Sequence, residues 1–421
     1  MKEQNIQQSA ILVGIAKNSS EIPECEESLA ELERLLETAG GQTFAKVIQI
    51  KESFDARTCI GSGKVKEISE LCEANSIELI VFDFELSPAQ IRNLEDDTKA
   101  RVIDRTMLIL DIFALHAVSG EGKMQVELAQ LKYTIPRLIG KGAELSRQEG
   151  RIGTRGPGES KLETDRRHVH RRIASIEAQI AEMEKNRMVM RSARDKSRMS
   201  KIAIVGYTNA GKSTLLNFLT DAGVLSEDKL FATLDPTTRR LTLPEGETVL
   251  LTDTVGLIRN LPHHLIKAFK STLDEASYAD ILMIVIDHSD PSHEEHLKVT
   301  LDLLSELNAS DKPIIYVYNK CDRSELPRPT REASVYISAK TGEGIDSLLA
   351  LLERKVKEGA KSVELLLPYD KSSFLNSLYS ISTVDSLEYK DEGISLVATF
   401  KEGVPHIYEQ FIVSKKEGSD A

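Results

Sequence analysis

Short apolar runs alternate with amphipathic stretches along residues 1–120 of the chain. The apolar runs predict strands at residues 10–15, 44–50, 77–82 and 107–113. Apolar positions at helical spacing predict helices between them, at residues 26–38, 64–74 and 88–98. Because strands that alternate with helices usually form parallel sheets, we expect residues 1–120 to fold as a small parallel α/β domain.

The pattern becomes helical after residue 120. Apolar positions recur at helical spacing over residues 123–133, which predicts a helix that ends before Pro136. Residues 159–198 predict one or two long helices with an apolar seam at Leu162, Val169, Ile173, Ile176, Ile180 and Met183. Between them, residues 140–158 are rich in glycine and arginine. We therefore expect residues 121–198 to form a helical hairpin or short antiparallel coiled coil with a glycine-rich basic loop.

Strand and helix patterns return in the second half of the chain. Residues 199–359 predict a doubly wound, mostly parallel sheet, with strands at residues 202–205, 241–243, 249–252, 281–287 and 314–318. Residues 360–421 predict a separate small α+β domain, with strands near residues 363–367, 384–389 and 394–400 and helices near residues 374–380 and 405–412. The expected fold class is α/β, with these four domains in order along the chain.

The strand predicted at residues 202–205 runs directly into the sequence Gly-x-x-x-x-Gly-Lys-Ser at residues 206–213. Glycines let backbone N–H groups turn toward phosphate oxygens, and the following helix presents its positive N-terminus. In such a loop Lys212 reaches the β- and γ-phosphates, and the Ser213 hydroxyl binds Mg²⁺. An ordinary strand-to-helix turn would be the alternative if this motif stood alone, but four further elements follow it.

Three of these elements lie at the ends of predicted strands. Residues 253–256, Asp-Thr-Val-Gly, place a carboxylate for the Mg²⁺ shell and an N–H group for a γ-phosphate. Residues 319–322, Asn-Lys-Cys-Asp, place the Asp322 carboxylate where it can accept both N–H donors on one edge of guanine, a pair that adenine lacks. Residues 338–340, Ser-Ala-Lys, complete the base pocket. The predicted nucleotide is therefore GTP.

The fourth element, residues 231–239, has the position of a segment that senses the nucleotide. Thr233 is our choice for the second Mg²⁺ ligand beside Ser213, while Thr237 and Thr238 stay open because spacing does not select among three threonines. The predicted catalytic residues are Lys212, Thr233 and Gly256. The predicted GTP contacts are Gly206, Tyr207, Thr208, Asn209, Ala210, Gly211, Lys212, Ser213, Thr214, Phe231, Ala232, Thr233, Leu234, Asp235, Asp253, Thr254, Val255, Gly256, Asn319, Lys320, Cys321, Asp322, Ser338, Ala339 and Lys340.

The chain is acidic overall, with 66 Asp and Glu residues against 54 Lys and Arg residues. This balance argues against indiscriminate binding to nucleic acid, although the helical region is cationic. Its long helices alone are equally well explained by a solvated charged face. The basic loop favours RNA, because glycines remove side-chain bulk and arginines supply donors for phosphates and bases. The predicted RNA-binding residues are Arg147, Arg151, Arg155, Arg166 and Arg167.

Other features bear on compartment and partners. No apolar run is long enough to span a bilayer, and the first residues lack the apolar stretch of a secretion signal. The four cysteines have neither the density of a disulfide scaffold nor metal-ligand spacing. We therefore expect a cytoplasmic protein with reduced thiols and Mg²⁺ as cofactor, which does not bind membranes and is a monomer when free.

Four longer stretches, at residues 104–117, 121–131, 153–159 and 253–262, resemble the HflX family of ribosome-associated GTPases. The resemblance extends over nearly the whole chain. It implies a protein that binds the large ribosomal subunit near the intersubunit face and the peptidyl-transferase region, and that helps split or rescue stalled ribosomes. The chain differs at Arg151, where the family usually has glycine, and at Leu257, where it usually has phenylalanine.

Leu257 bears on the mechanism, because many GTPases place at this position a glutamine that orients the attacking water. A leucine side chain forms no hydrogen bond, so we expect slow hydrolysis that the large subunit accelerates. Asn209 is similar to the asparagine of GTPases that bind K⁺ beside the phosphates, and it can equally serve only to shape the loop. The function we predict is a GTP-hydrolysing switch on ribosomes. The alternative is an RNA-binding or ribosome-assembly module with the nucleotide as a structural ligand.

Overall fold

The computed structural model describes residues 8–147, 157–195, 199–220, 230–231, 233–259, 275–328, 330–358, 361–400 and 404–415. The chain forms two compact units. The first unit comprises Met1–Lys185, Leu225–Pro236 and Thr254–Asp274, and the second comprises Asn186–Val224, Thr237–Asp253 and Glu275–Ala421. None of the helices in the described ranges has the length and apolar character needed to cross a membrane.

The first unit contains a four-stranded parallel sheet in the order β2-β1-β3-β4. The strands are β1 (Ser9–Ala16), β2 (Gln42–Ile50), β3 (Leu79–Phe82) and β4 (Arg101–Asp104). The helices are α1 (Ile22–Thr38), α2 (Ser62–Asn75), α3 (Pro88–Thr98) and α4 (Arg105–His116). Ile11, Val13, Ile80 and Phe82 on the two central strands are fully buried and belong to one core cluster. The predicted small parallel α/β fold is confirmed.

The strand predicted at residues 107–113 is wrong, because these residues lie within helix α4. The helix begins where the Asp104 side chain accepts a hydrogen bond from the Met107 N–H group. Leu108, Ile109, Leu110, Ile112 and Phe113 are all buried, so the helix has no long polar face to reveal its period. A continuous apolar run does not distinguish a buried strand from a buried helix.

Two long helices follow, α5 (Gly120–Arg147) and α6 (Pro157–Asp195). The predicted helix end before Pro136 is wrong, because α5 continues through this proline. Pro136 and Lys132 are exposed, so water can satisfy the Lys132 carbonyl that loses its helical partner. The predicted loop over residues 140–147 is likewise helical, and residues 148–156 lie outside the described residues.

The predicted apolar seam of α6 is present where its side chains are described. Ile176 is fully buried, and Val169, Ile173, Ile180 and Met183 are partly buried between exposed neighbours. Leu162 lies where no side chains are described. Ion pairs join the two helices: Arg172 of α6 contacts Glu127 of α5 at 2.7 Å, and Lys132 of α5 contacts Glu177 of α6 at 2.7 Å. The described parts of α5 and α6 therefore pack side by side, as the hairpin prediction requires.

The second unit contains a six-stranded sheet in the order β10-β9-β8-β5-β7-β6. Its strands are β5 (Lys201–Gly206), β6 (Thr237–Thr242), β7 (Thr248–Asp253), β8 (Ile281–Asp287), β9 (Ile314–Asn319) and β10 (Ser334–Tyr336). The helices are α7 (Lys212–Thr220), α8 (His293–Glu306) and α9 (Ile345–Glu358). Every strand pair is parallel except β6 with β7. One core cluster lies on each face, which confirms the predicted doubly wound sheet.

A four-stranded antiparallel sheet in the order β12-β13-β11-β14 follows. Its strands are β11 (Lys361–Leu367), β12 (Thr383–Lys390), β13 (Gly393–Phe400) and β14 (Ile412–Lys415), and its helices are α10 (Ser373–Ile381) and α11 (His406–Glu409). The helix predicted at residues 405–412 is too long: α11 ends at Glu409, and β14 pairs with the edge of β11. Buried Tyr408 and Phe411 place this turn in the core.

Candidate nucleotide-binding site

The phosphate loop connects β5 to α7 in the second unit. Gly206 ends the strand with φ +149°, and a Cβ atom there would lie 2.2 Å from the Val285 carbonyl oxygen. Gly211 has φ +94°, and its Cβ atom would lie 2.2 Å from the Asn319 amide nitrogen. Only glycine fits these two positions, because both the backbone conformation and the space exclude a side chain. The two motif glycines therefore set the shape of the loop.

Lys212 is the first residue of α7 and is 6 % exposed. Its ammonium donates a hydrogen bond to the Tyr207 carbonyl at 2.8 Å, inside the loop. Burial lowers the pKa of Lys212 to about 8; the Asp253 carboxylate opposes this shift and Lys320 adds to it. The side chain is therefore a mainly protonated, poorly solvated cation at neutral pH. Such a group gains strongly from a phosphate anion.

The Ser213 hydroxyl donates a hydrogen bond to the Asp253 carboxylate at 2.6 Å. Asp253 ends β7 and is fully buried. The pair brings together a hydroxyl and a carboxylate, which are the hard oxygen ligands that Mg²⁺ prefers. This donor set fits the predicted metal site, and the predicted ligand Ser213 lies beside the carboxylate that the motif supplies.

The base-recognition loops lie at the ends of β9 and β10 in the same unit. Asn319 donates to the Ala210 carbonyl and accepts from the Ala339 N–H group, both at 2.9 Å. It thereby joins the phosphate loop to both predicted base loops. Asp322 follows in a short 3₁₀ turn, and its side chain is 23 % exposed. An accessible carboxylate at this position can accept hydrogen bonds from a base.

The remaining residues of these loops support this arrangement. Lys320 has a left-handed backbone (φ +62°), and its ammonium contacts the Asp287 carboxylate at 2.7 Å. Ser338 is fully buried and accepts from the Thr341 N–H group at 3.2 Å. Cys321 and Ala339 are buried, and Lys340 is exposed. The sequence motifs did not identify Asp287 as the partner of Lys320. A carboxylate at the end of the apolar run 281–287 could have indicated it.

The second unit also fixes two of the three candidate threonines. Thr237 and Thr238 are the first residues of β6, paired with Asp253 and Thr252 of β7. The Thr238 and Thr252 hydroxyls lie 3.0 Å apart. Thr233 precedes the strand in an irregular segment of the first unit and is partly buried.

Residues 230–231 and 233–236 pack within the first unit, together with residues 254–259. The aromatic ring of Phe231 contacts the Phe113 ring edge-on, with centroids 4.7 Å apart. The Asp235 carboxylate accepts from the Val118 and Ser119 N–H groups at 3.0 and 2.7 Å, and from the Ser119 hydroxyl. The predicted sensing residues are therefore held by α4 and by the start of α5.

The segment after Asp253 has its own contacts in the first unit. Arg105 donates to the Arg259 carbonyl at 3.4 Å, and the Arg259 guanidinium contacts Glu27 at 3.1 Å. The Arg105 side chain is 3 % exposed and is ion-paired with Glu31 and Asp83. The intervening residues Thr254, Val255 and Leu257 are buried. Sequence reasoning missed the receiving residues Arg105, Phe113 and Ser119, although all lie in or between the stretches that resemble the HflX family.

The predicted RNA-binding arginines are only partly described. Arg166 and Arg167 are exposed on α6, and Arg147 is the last residue of α5. Arg151 and Arg155 lie outside the described residues, as does the predicted nucleotide contact Ala232.

Comparisons with known proteins cover nearly the whole chain. Residues 26–114 and 116–194 match the GTP-binding GTPase N-terminal and middle regions, residues 201–320 match a 50S ribosome-binding GTPase, and residues 328–404 match the HflX C-terminal domain. The chain is 48 % identical to the GTPase HflX of Caldanaerobacter subterraneus over 405 residues, which cover 96 % of this chain and 94 % of the relative. It is 42 % identical to the GTPase HflX of Escherichia coli over 378 residues, 87 % of this chain and 88 % of the relative.

Among solved structures, the chain is similar to a GTP-binding protein from Sulfolobus solfataricus in complex with GDP. The two are 25 % identical, with 83 % of this chain and 98 % of that chain covered, and the TM-score is 0.45. The phosphate loop, the base loops and the matches along the chain together show that this protein belongs to the HflX family of GTPases.

Proposed function

We propose that this GTPase is a molecular switch that binds the large ribosomal subunit in the cytoplasm, helps split or rescue stalled ribosomes, and hydrolyses GTP faster on the ribosome. The observation that carries the proposal is the buried Lys212 ammonium beside the Ser213–Asp253 pair. These groups provide a positive charge for the phosphates and oxygen ligands for a metal. The match of residues 201–320 to a 50S ribosome-binding GTPase supports the choice of partner.

The chain's own groups divide the work of binding and hydrolysis. Lys212 would exchange its bond to the Tyr207 carbonyl for the β- and γ-phosphates, and the Gly256 N–H group would contact the γ-phosphate. Ser213 and Thr233 would hold Mg²⁺, and the Asp253 carboxylate would support its ligand shell; the bound ion would supply positive charge that neutralises the phosphate oxygens. The confinement of Thr237 and Thr238 to β6 supports Thr233 as the switch ligand. Asp322 would accept the guanine N–H groups.

Leu257 supports the requirement for a partner. This residue is 5 % exposed, and its side chain cannot orient a water molecule. Phosphoryl transfer depends on positioning and electrostatics, so a partner that orders the attacking water can raise the rate by orders of magnitude. We propose that the large subunit does so. The exposed Arg166 and Arg167 of α6, with Arg147, Arg151 and Arg155, are the proposed RNA contacts.

Asn209 has a left-handed backbone, with φ +60°. Asparagine tolerates this conformation better than most residues do, which supports a role in shaping the loop. Hydrolysis rates in K⁺ and in Na⁺ at equal ionic strength distinguish this role from K⁺ binding. If Asn209 helps to bind K⁺ beside the phosphates, hydrolysis should be clearly faster in K⁺ than in Na⁺.

Co-sedimentation tests the proposed function. Large subunits and whole ribosomes are centrifuged with the protein and GTP, a non-hydrolysable GTP analogue or GDP. We expect the analogue to retain protein on the large subunit, GDP to release it, and whole ribosomes to separate into subunits with GTP. Equal retention in all three nucleotide states would overturn the switch and favour the RNA-binding module with a structural nucleotide.

A further inference from the structure

Residues 230–231 and 233–235, here called the sensing segment, are fixed at three points in the first unit. The Leu230 N–H group donates to the Thr38 hydroxyl at the end of α1 at 3.3 Å. The Phe231 ring lies against Phe113 of α4. Asp235 contacts the turn between α4 and α5. Three elements of the first unit therefore hold the segment at its start and at its end.

The backbone of the sensing segment depends on these contacts. Phe231 has φ +57°, a left-handed conformation that bulky side chains rarely adopt. Phe231 and Leu234 are both buried, and each is only 2 % exposed. A strained backbone persists only where its surroundings fix it, and such positions cluster in switch regions. The first unit therefore dictates the conformation of this segment.

Asp235 makes the most specific of the three contacts. One carboxylate oxygen accepts from the Val118 and Ser119 N–H groups, and the other from the Ser119 hydroxyl. The Ser119 oxygen in turn accepts from the Gly122 N–H group at 2.9 Å. Together the two side chains satisfy donors at the N-terminus of α5, where a negative charge is also favourable. Asp235 is thus part of the cap of a 28-residue helix.

The space around Gly122 is a second, independent observation that supports the contact between Asp235 and the N-terminus of α5. A Cβ atom at this position would lie 2.6 Å from the nearer Asp235 oxygen and 3.0 Å from the Ser119 hydroxyl. Glycine is among the least favourable residues inside a helix. Here it leaves the room that the carboxylate occupies.

We propose that Asp235 is a positioning residue, which orders the sensing segment on helix α5 and thereby raises the preference of the protein for GTP over GDP. The inference rests on the proposed function, in which this segment senses the γ-phosphate. A free segment loses conformational entropy when it closes on a nucleotide. Contacts with α4 and α5 order it beforehand, so less is lost when GTP binds. GDP lacks the γ-phosphate that this segment should sense, so the order should act on GTP affinity and leave GDP affinity unchanged.

The test uses the full-length protein with Mg²⁺ and compares Asp235→Ala, Gly122→Ala and Ser87→Ala with wild type. Gly122→Ala crowds the Asp235 carboxylate without replacing any residue of the sensing segment, and by helix propensity alone it should strengthen α5. Ser87→Ala is the matched control, because it removes a similar cap from α3, where Ser87 and Gln90 form a capping box. Dissociation constants for a non-hydrolysable GTP analogue and for GDP are measured by fluorescence titration.

We expect Asp235→Ala and Gly122→Ala each to weaken binding of the GTP analogue by about fivefold, with GDP affinity unchanged. Ser87→Ala should change neither constant. Unchanged or tighter binding of the analogue in both test variants would overturn the proposal; tighter binding would mean that the contact holds the segment away from GTP. If Asp235→Ala does not fold, Gly122→Ala and Asp235→Asn decide, and Asp235→Asn should retain part of the GTP preference.

These titrations, together with the co-sedimentation experiment, separate this inference from the proposed function. If wild type binds the analogue but large subunits never respond to the nucleotide, the ribosomal switch fails while the capping role is still decided. If wild type shows the ribosomal response and the variants keep its GTP preference, only the role of Asp235 fails.

Discussion

The regions expected to bind the nucleotide and those expected to sense it are built differently. The phosphate and base loops lie at the ends of β5, β7, β9 and β10 in a single sheet, and Asn319 joins them directly. The sensing segment and residues 254–259 are irregular and are held by side chains of the first unit. Asp235 contacts Ser119 across 116 positions of sequence, and Arg259 contacts Glu27 across 232.

Affinity and response should therefore reside in different parts of the chain. The phosphate and base loops are fixed by the strands that they follow, so affinity for guanine nucleotide should depend on the second unit. The response to the γ-phosphate should depend also on α4 and α5, because their side chains fix the sensing segment. Substitutions in the two regions should separate affinity from response.

Lys212 should dominate the affinity. Lys212→Ala removes a buried cation that should contact two phosphates, so affinity for GTP and GDP should both fall on the order of a thousandfold. Fluorescence titration measures this loss, and Lys298→Ala, an exposed lysine on α8, is the control with unchanged affinity. A loss below about tenfold, or 1.4 kcal/mol, would show that the phosphates bind elsewhere.

Asp322 should govern the base. Replacement by asparagine removes the charge and one acceptor, so GTP affinity should fall by about 2–3 kcal/mol, roughly 30- to 150-fold, and preference should move toward xanthine nucleotides. Competition titrations with GTP and xanthosine triphosphate measure both changes. Wild-type affinity for GTP in this variant would remove Asp322 from the site.

Thr233 tests the response to the γ-phosphate separately from the affinity for guanine nucleotide. Thr233→Ala should weaken binding of a GTP analogue by about tenfold in Mg²⁺ and leave GDP binding unchanged, because only the GTP form uses this ligand. Thr237→Ala is the comparison variant in the same titration. If Thr237→Ala shows this pattern and Thr233→Ala does not, the assignment of the metal ligand is wrong.

A smaller effect is expected from the pH dependence of Lys212. Its pKa is about 8 in the folded protein, against 10.5 as the ordinary value. Phosphates favour the protonated form, so GTP affinity should fall about fourfold between roughly pH 7 and pH 8.5, with proton uptake on binding. Calorimetry in buffers of different ionisation enthalpy measures that uptake. Equal affinity at both pH values and no uptake would show that phosphate binding does not depend on this proton.

The same pKa has a defined consequence for stability. Between pH 8 and pH 10.5 the unfolded lysine binds more protons than the folded one. The Lys212 contribution to the free energy of unfolding therefore rises with pH across this window.

Sequence reasoning succeeds where local chemistry determines structure. Gly206 and Gly211 occupy backbone conformations that only glycine fits. These glycines shape the phosphate loop, and the positions of Lys212 and Ser213 at its end could therefore be predicted. It fails where tertiary contacts decide. Residues 107–113 are apolar except for the partly buried Asp111, because most of this stretch of α4 is buried, and the same burial hides the helical period. Pro136 stays within α5, where water can satisfy the carbonyl that the proline leaves unpaired.

The contacts of the sensing segment could not be predicted for a related reason. Asp235 reads as part of a nucleotide motif, and neither its spacing nor its neighbours point to Ser119. Such a pairing depends on how distant elements pack, which one sequence does not encode in any local period.

Stimulation of GTP hydrolysis by the large subunit is the step on which the proposed switch depends. It is tested by the rate of phosphate release at saturating GTP against the concentration of purified large subunits, with Lys212→Ala measuring contaminating activity. We predict a low rate without subunits and a saturable rise of at least about tenfold with them. A rate that stays at its basal value across the whole range of subunit concentration would contradict the proposed switch.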